Sequence, residues 1–257
     1  MQTLTLTALT GIGEIAPGED LAGTLGAALD RLLRPVRTGD VPRPAGVLVV
    51  TQKAVSKAEG RHVVLDTVTV SPRAAELAAL TRKDPRLVEL VLSESVEVLR
   101  AKADVLIVRH RLGYVMANAG IDRSNVGGGE RVLLLPRDPD ASAAALRTAL
   151  EEHHRIDAAV IISDSFGRPW RKGVTNVALG AAGLPSLIDR RGERDRHGRR
   201  LEVTEVALAD QLASAAGLLM GEGAEGLPAV WISGISWAAA PVAARSLIRP
   251  IGEDLFR

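Results

Sequence analysis

IISDSFGRPWRKG, residues Ile161 to Gly173, sets the architecture that we expect of this chain. The apolar residues AAV precede it, and the combined apolar run is typical of a buried strand. Asp164 stands where that run ends, and the Gly, Pro, Trp, two Arg and one Lys that follow indicate a turn. The pattern predicts a strand that ends by delivering a carboxylate to the edge of a sheet, where α/β proteins tend to bind ligands.

Outward from this stretch, hydrophobic patterns predict both strands and helices. Strands are expected at LTLTAL (4–9), GVLVVTQK (46–53), DAAVIISD (157–164) and PAVWISG (228–234), with strand, turn and strand in DVLIVRHRLGYVMA (104–117). Helices are expected over 20–34, from Ser71-Pro72, from Asp84-Pro85 to about Ser95, from Asp140 to about His153, over 204–220 and over 238–247. Because strands and helices mix without strict β-α-β units, we expect an α/β (α+β) fold in one domain over residues 1–257.

Composition excludes several classes of protein. The 257 residues are 46% hydrophobic, which is typical of a globular chain, and the net charge of +1 argues against a general nucleic-acid or membrane binder. The absence of cysteine excludes disulfides, thiolate catalysis and cysteine-held metal centres. No signal peptide is recognisable and no apolar run is long enough to span a membrane. We therefore expect a soluble, cytoplasmic protein.

GIGEIA, residues 11–16, fits the looser dinucleotide-binding pattern G-x-G-x-x-A after a strand. That pattern needs a helix that opens directly onto the phosphates, but Pro17-Gly18 interrupts and the helix is expected only near Asp20. A dinucleotide site is disfavoured, whereas a nucleotide-contacting loop of another kind stays open.

VVTQKAVSKAEG, residues 49–60, places Lys53 and Lys57 four residues apart, where they can share a helical face and hold phosphates. An ordinary solvated helix start explains the same spacing equally well. In NAGIDRSNVGGGE, residues 118–130, Asp122 can coordinate a hard cation, and Asn125 offers an amide to a base or ribose. Its three consecutive glycines allow close backbone approach to a ligand. A surface loop with turn-forming Asp and Asn is the favoured interpretation of that segment alone.

Asp164 is well placed to bind Mg²⁺ or Mn²⁺, and Arg168, Arg171 and Lys172 can then stabilise charge on a transferring phosphoryl group. The alternative is a structural ion pair between Asp164 and Arg168. Two Asp-bearing loops beside Gly and basic residues suggest a two-metal phosphoryl site. Glu222, in MGEGAEG, is a possible third carboxylate, although a solvated residue after a helix end is the favoured interpretation by itself. The charged run DRRGERDRHGRR (189–200) fits a loop that closes over an anionic substrate.

Five blocks occur in an order that resembles one family: GIGEIAPGEDL, VVTQKAVSKAEGR, NAGIDRSNV, SDSFGRPWRKGVTNVALG and LMGEGAEGLPAVWI. They resemble the coenzyme F-420-0:L-glutamate ligases, the CofE-like family, including the N-terminal ligase half of a fused actinobacterial protein. The resemblance implies a CofE-like fold of mixed sheets with flanking helices, in an intertwined homodimer. It also implies a GTP-dependent ligase that joins L-glutamate to coenzyme F-420-0 through an acyl phosphate, with two Mg²⁺ or Mn²⁺ ions and K⁺.

The resemblance also assigns residues by matching position. It makes Asp122, Asp164, Ser165 and Glu222 the metal ligands, and it places in the GTP site Ile12, Gly13, Glu14, Ile15, Gln52, Lys57 and Asn125. The roles of Arg168, Arg171 and Lys172 rest on charge alone. The chain departs from the family at Ser165, where Thr is common, and at Gln52, where some relatives have Ser. We expect no nitroreductase-like second domain. A metal-dependent nucleotide hydrolase and a non-catalytic binding module are the competing interpretations.

Overall fold

A five-stranded mixed sheet lies at the centre of the computed structural model, which describes residues 3–33, 46–126 and 130–254. In spatial order its strands are β1 (Thr5–Ala8), β12 (Ala229–Ser233), β2 (Gly46–Thr51), β8 (Ala158–Arg168) and β9 (Arg171–Ala182). Only β2 and β8 run parallel, and the other three neighbouring pairs are antiparallel. The mixed α/β prediction is therefore confirmed, and the three glycines 127–129 lie outside the described residues.

Helices cover both faces of this sheet. Helices α1 (Leu21–Leu33) and α5 (Pro139–His154) pack on one face with the short helix α2 (Gln52–Ala58), and α6 (Leu208–Met220) packs on the other. Alternate residues of β2 point to opposite faces, so Leu48 contacts the first layer and Val49 the second. Because both faces are buried, the central strands are continuous apolar runs rather than alternating ones.

The segment between β2 and α5 builds a smaller unit beside the sheet. Helices α3 (Pro72–Thr81) and α4 (Pro85–Ser93) share a core with the antiparallel sheet of β4 (Ser95–Lys102), β5 (Val105–His110) and β6 (Val115–Ala117). The predicted helix starts are confirmed, because Ser71 Oγ and Asp84 Oδ1 accept hydrogen bonds from the first-turn amides. Two short pairs complete the described strands: β3 (His62–Val64) with β7 (Arg131–Leu133), and β10 (Ile188–Asp189) with β11 (Glu205–Val206).

The prediction that Asp140 caps α5 is wrong. Asp138 is the cap, and its carboxylate accepts a hydrogen bond from the amide of Ala141 at 3.0 Å. Asp140 lies inside the first turn instead, where its Oδ1 accepts bonds from the amides of Ala181 and Ala244, both at 2.9 Å. Two aspartates on either side of one proline in the run RDPDAS offer two capping positions, and only this long-range contact separates them.

Several predicted element ends also move. Strand β8 does not end at Asp164 but continues to Arg168, because β9 returns beside it as a long hairpin. Strand β2 ends at Thr51 and passes directly into α2, α4 ends at Ser93 instead of near Ser95, and α6 begins at Leu208 instead of Thr204. Of the helix expected over 238–247, only a 3-10 turn at Ala244–Leu247 forms. Within the described ranges, none of the helices combines the length and apolar character needed to cross a membrane.

Candidate functional site

The candidate site lies where β2 stops and β8 continues. Thr51, the last residue of β2, pairs with Ser163, so Asp164 is the first residue of β8 beyond its parallel neighbour. A cavity of about 420 Å³ opens at this edge. Its walls contain many of the predicted site residues, namely Ile12, Gly13, Glu14, Ile15, Lys57, Asn125, Asp164, Ser165 and Glu222, together with Lys53 and Asn176. Residues from five separate parts of the chain therefore meet in one cavity.

Asp164 carries an unusual charge environment. Burial, the negative charge of Asp122 and, to a smaller extent, that of Glu222 raise the pKa of Asp164 to about 7, although the backbone amide of Ser165 and the charge of Lys53 act in the opposite direction. Among the described residues its carboxylate forms no ion pair, and in particular none with Arg168. The alternative of a structural Asp164–Arg168 pair is therefore wrong, and the carboxylates of Asp164, on β8, and Asp122, on a separate segment, lie close enough to repel each other.

Asp122 is held firmly although it lies in an irregular segment. Its backbone exchanges two hydrogen bonds of 2.9 Å with Leu133, at the end of β7. Its Oδ2 accepts a hydrogen bond of 2.6 Å from Gln52 Nε2, and its Oδ1 lies 3.5 Å from Lys53 Nζ. Burial raises the pKa of the Asp122 carboxyl, which Lys53 and Gln52 partly counteract. Asp122 is thus a positioned carboxylate, not a solvated turn residue.

Glu222 belongs to the same cluster of acidic residues. It follows Gly221, which ends α6 with a positive φ of 69°, and it accepts hydrogen bonds from Ser165 Oγ at 2.7 Å and Asn176 Nδ2 at 3.1 Å. The neighbouring Gly223 carbonyl accepts a bond of 3.2 Å from Asn125 Nδ2. The loop after α6 is therefore tied to the β8–β9 hairpin and to the Asp122 segment, so Glu222 is exposed to solvent, as one interpretation expected, but is also held in place by Ser165 and Asn176.

Sequence reasoning missed Asn176, which the structure places beside Glu222. It lies on β9 directly opposite Ser165, in a register that follows from the hairpin turn. Its side chain also needs the space beside Gly217 of α6, where an added Cβ would lie 2.4 Å from Asn176 Nδ2. A hairpin prediction with the correct turn would have revealed the pairing of Asn176 with Ser165.

The residues predicted to bind a nucleotide divide into two groups. The loop Ile12–Ile15 and Lys57 line the cavity, and Lys57, which is 7% exposed, pairs with Glu14. Gln52 is fully buried and stands behind the described wall of the cavity, where it contacts Asp122. The loop Ile12–Ile15 and Lys57 therefore lie where they could contact a nucleotide, whereas the side chain of Gln52 is directed toward Asp122.

The basic residues predicted to act on phosphate lie farther out. Arg168, Arg171 and Lys172 are exposed at the tip of the β8–β9 hairpin, around Trp170, and are not among the described residues that line the cavity. In the charged run over 189–200, Arg190 pairs with Glu193 and Arg191 with Asp189. The structure therefore does not bring the hairpin arginines to the carboxylates, and their role stays a prediction.

The donor set at the cavity suits a hard cation. Within residues 3–33, 46–126 and 130–254, no three histidine or acidic side chains form a preassembled metal-binding cluster. Burial is the main cause of the raised pKa of Asp164, and the negative charges of Asp122 and Glu222 raise it as well, so these three acidic groups lie close enough to interact. Mg²⁺ and Mn²⁺ prefer oxygen ligands, and Asp122, Asp164 and Glu222 provide carboxylates beside the Ser165 hydroxyl. The residues present therefore fit such an ion.

Known proteins resemble this chain over nearly its whole length. The coenzyme F420:L-glutamate ligase of Methanothermobacter thermautotrophicus is 43% identical over 256 residues, which cover 99% of each chain. The protein of the same name from Methanopyrus kandleri is 45% identical over 248 residues, or 95% of this chain and 94% of the relative. A third, from Haloarcula marismortui, is 42% identical over 228 residues, or 86% and 84%.

The model of one family spans the whole candidate site. The F420-0:gamma-glutamyl ligase family matches residues 11–234, which include the loop at Ile12, both aspartates and Glu222. The resemblance noted from the five sequence blocks is therefore confirmed. The chain belongs to the F420-0:gamma-glutamyl ligase family.

Proposed function

We propose that this protein joins the amine of L-glutamate to the carboxylate of coenzyme F-420-0 in an amide bond, as a γ-glutamyl ligase, with GTP as the co-substrate that is cleaved to GDP and phosphate. Family membership and the names of the relatives support the ligase activity and its two substrates. The observation that carries the proposal is the convergence of Asp164 and Glu222 with Lys53 and Lys57 around one cavity, with Asp122 3.5 Å from Lys53 and close enough to raise the pKa of Asp164. Carboxylates and lysines in this arrangement suit the polyphosphate of a nucleotide and its counterions.

The loop Ile12–Ile15 and Asn125 would contact GTP, and Lys53 and Lys57 would act as point charges toward its phosphates. Lys57 is the better positioned of the two lysines because it is nearly buried and already held by Glu14. Arg168, Arg171 and Lys172 would add positive charge from the hairpin tip. This distribution of charge would favour the trigonal phosphoryl group as it leaves GDP.

Asp122, Asp164, Ser165 and Glu222 would hold two Mg²⁺ or Mn²⁺ ions, and K⁺ would bind at the same site. Bound divalent ions supply charge stabilisation on the phosphoryl oxygens. The repulsion between Asp122 and Asp164 would then serve ion binding. A divalent cation, either alone or bound to the phosphates, would offset the negative charge that these two buried carboxyl groups bring together.

The reaction would proceed in two balanced transfers. An oxygen of the F-420-0 carboxylate attacks the γ-phosphorus of GTP, the bond to the β-phosphate oxygen breaks, and an acyl phosphate and GDP result. The amine of glutamate then attacks the acyl carbon, phosphate leaves, and the amine loses a proton to solvent. The cavity walls around Met220 and Leu227 would keep water from the acyl phosphate. The predicted intertwined homodimer and cytoplasmic location stay predictions.

Mass spectrometry of the deazaflavin product tests this function. The full chain would be incubated with GTP, Mn²⁺, K⁺, glutamate and coenzyme F-420-0, with single omissions of GTP and of glutamate as controls. We expect the acceptor mass to rise by whole glutamyl units only in the complete mixture, together with equal amounts of phosphate. Steady GTP cleavage without acceptor and without glutamate would instead identify a nucleotide phosphohydrolase, and nucleotide binding without turnover would identify a binding module.

A further inference from the structure

Two buried side chains behind the cavity form a hydrogen-bonded chain that ends at Asp122. Ser56 Oγ donates to Gln52 Oε1 at 2.9 Å, and Gln52 Nε2 donates to Asp122 Oδ2 at 2.6 Å. Ser56 and Gln52 are four residues apart on α2, so they lie one above the other on the same helical face. Both are fully buried, and neither is among the described residues that line the cavity.

The direction of the Gln52 amide is fixed by its partners. An ionised carboxylate only accepts hydrogen bonds, so the NH₂ end of the amide must face Asp122, and the carbonyl end must face Ser56. The reversed amide would place a carbonyl oxygen against a carboxylate oxygen in a buried site, without a proton between them. Such an unsatisfied buried pair costs far more than the bond that it replaces.

The consequence is a division of labour between the two oxygens of Asp122. Oδ2 is committed to Gln52, while Oδ1 faces Lys53 Nζ at 3.5 Å. The backbone of Asp122 is fixed by its two bonds to Leu133, so the side chain is held at both ends. The neutral amide of Gln52 orients the carboxylate and leaves its negative charge in place. A buried cation in place of Gln52 would cancel that charge.

We propose that Ser56 and Gln52 are positioning residues, which hold Asp122 so that its Oδ1 alone is presented to a divalent cation at the site. The inference rests on the proposed function only for the presence of that cation. It replaces the expected nucleotide contact of the Gln52 side chain, which is buried away from the cavity. Groups that orient a metal-binding side chain typically contribute about 10- to 100-fold to metal affinity.

Binding of Mn²⁺ to the full chain without nucleotide or acceptor tests the inference independently of turnover. Free Mn²⁺ would be measured by electron paramagnetic resonance for the wild type, Gln52→Met, Ser56→Ala and the double variant, with Tm recorded for each. Methionine keeps the length of glutamine but cannot donate, so we expect Gln52→Met to raise the Kd for Mn²⁺ by about 10-fold or more. Ser56→Ala should raise it less, and the double variant should match Gln52→Met alone.

Thr81→Val is the matched control. Thr81 is a fully buried hydroxyl that donates to the Leu77 carbonyl at 2.6 Å on α3, outside the described cavity wall. We expect it to lower Tm as Ser56→Ala does and to leave the Kd for Mn²⁺ unchanged.

Three results would overturn the inference. Equal Mn²⁺ affinity in Gln52→Met and the wild type, with only Tm lowered, would reduce Gln52 to a packing role. Additive effects of Gln52→Met and Ser56→Ala on Kd would show that Ser56 does not act through Gln52. No Mn²⁺ binding by the wild type would remove the site altogether. By contrast, the expected Kd pattern in a protein that makes no glutamylated product would leave the positioning role intact and refute the proposed function.

Discussion

Two acidic side chains of this protein are enclosed in opposite ways. Glu94, directly after α4, lies against two arginines and a histidine: Arg61 Nη2 at 3.0 Å, Arg111 Nε at 3.1 Å and His110 Nε2 at 3.4 Å. Burial alone would raise the pKa of Glu94, but His110 and the two arginines outweigh it and lower that pKa to about 2. Burial, together with the acidic neighbours Asp122 and Glu222, raises the pKa of Asp164 to about 7.

The difference separates a structural carboxylate from a functional one. The partners of Glu94 connect β3 and β5 to the segment that leads into α5. Arg61 donates a further hydrogen bond to the carbonyl of Leu135, and Arg111 donates one to the carbonyl of Arg137. Among the described residues, Lys53 is the cation that counteracts the raised pKa values of Asp164 and Asp122, and no arginine pairs with either carboxylate. Buried charge that the fold leaves uncompensated is characteristic of sites where a ligand supplies the missing charge.

The largest expected effect comes from Asp164→Asn, which removes the charge but keeps the shape. Because the carboxylate would be lost as a ligand, we expect ligase turnover to fall by at least about 100-fold, more than for loss of an orienting group. Tm without metal should stay the same or rise, since repulsion with Asp122 is relieved. Asp157→Asn, at the start of β8 and paired with Arg147 on the surface, is the control and should keep full activity.

Glu94→Gln should give the reverse pattern. Arg61, Arg111 and His110 would lose the negative charge that they share, and a hydrogen bond to a charged group contributes about 1.5–3 kcal/mol to stability. We expect the free energy of unfolding to fall by about 2–3 kcal/mol in urea titrations, with turnover per folded molecule unchanged. An activity loss as large as that of Asp164→Asn would break the distinction between the two sites.

The pH dependence of stability in chelator should carry opposite signs at the two sites. The pKa of Glu94 is lowered on folding, so its contribution is complete above the unfolded value of 4.5 and is lost as pH falls toward 2. The pKa of Asp164 is raised, so the folded state loses stability as pH rises from about 4 through 7. Asp164→Asn should flatten the curve between pH 4 and 7, and Glu94→Gln only below pH 4.5.

A smaller effect is expected from Asn176→Ala, which removes one of two donors to Glu222. Ser165 still binds the other oxygen of that carboxylate, so we expect a Mn²⁺ Kd about 10-fold higher, at the low end for an orienting group. Ser214→Ala is a useful control, because Ser214 also bonds Asn176, but only through its backbone carbonyl. Equal effects of the two variants would mean that β9 is merely disturbed.

The central strands and most helices could be predicted from the sequence because their apolar periodicity and caps are local. Ser71, Asp84 and the buried run before Asp164 are examples in which local chemistry was sufficient. The choice between Asp138 and Asp140 as the cap of α5 could not be predicted in this way. It depends on the amides of Ala181 and Ala244, which are more than 30 residues away.

The site divides in the same way. Sequence blocks identified Asp122, Asp164 and Glu222, which the structure brings together across separate loops. The partners that orient them could not be inferred, because the bond from Gln52 to Asp122 spans 70 positions and the bond from Asn176 to Glu222 depends on hairpin register. The phosphate-binding role of Arg168 and Arg171 was predicted from charge alone. The pattern of charges along the sequence does not reveal how far these side chains lie from the carboxylates in the fold.

The shift in Tm that Mn²⁺ produces tests most directly whether the uncompensated carboxylates await a ligand. Wild type, Asp164→Asn and Glu94→Gln would be unfolded thermally in chelator and in saturating Mn²⁺. We predict that Mn²⁺ raises Tm by the same amount in the wild type and in Glu94→Gln, although the latter starts lower, and that the shift disappears in Asp164→Asn. An undiminished shift of Tm in Asp164→Asn would show that Asp164 does not bind the ion.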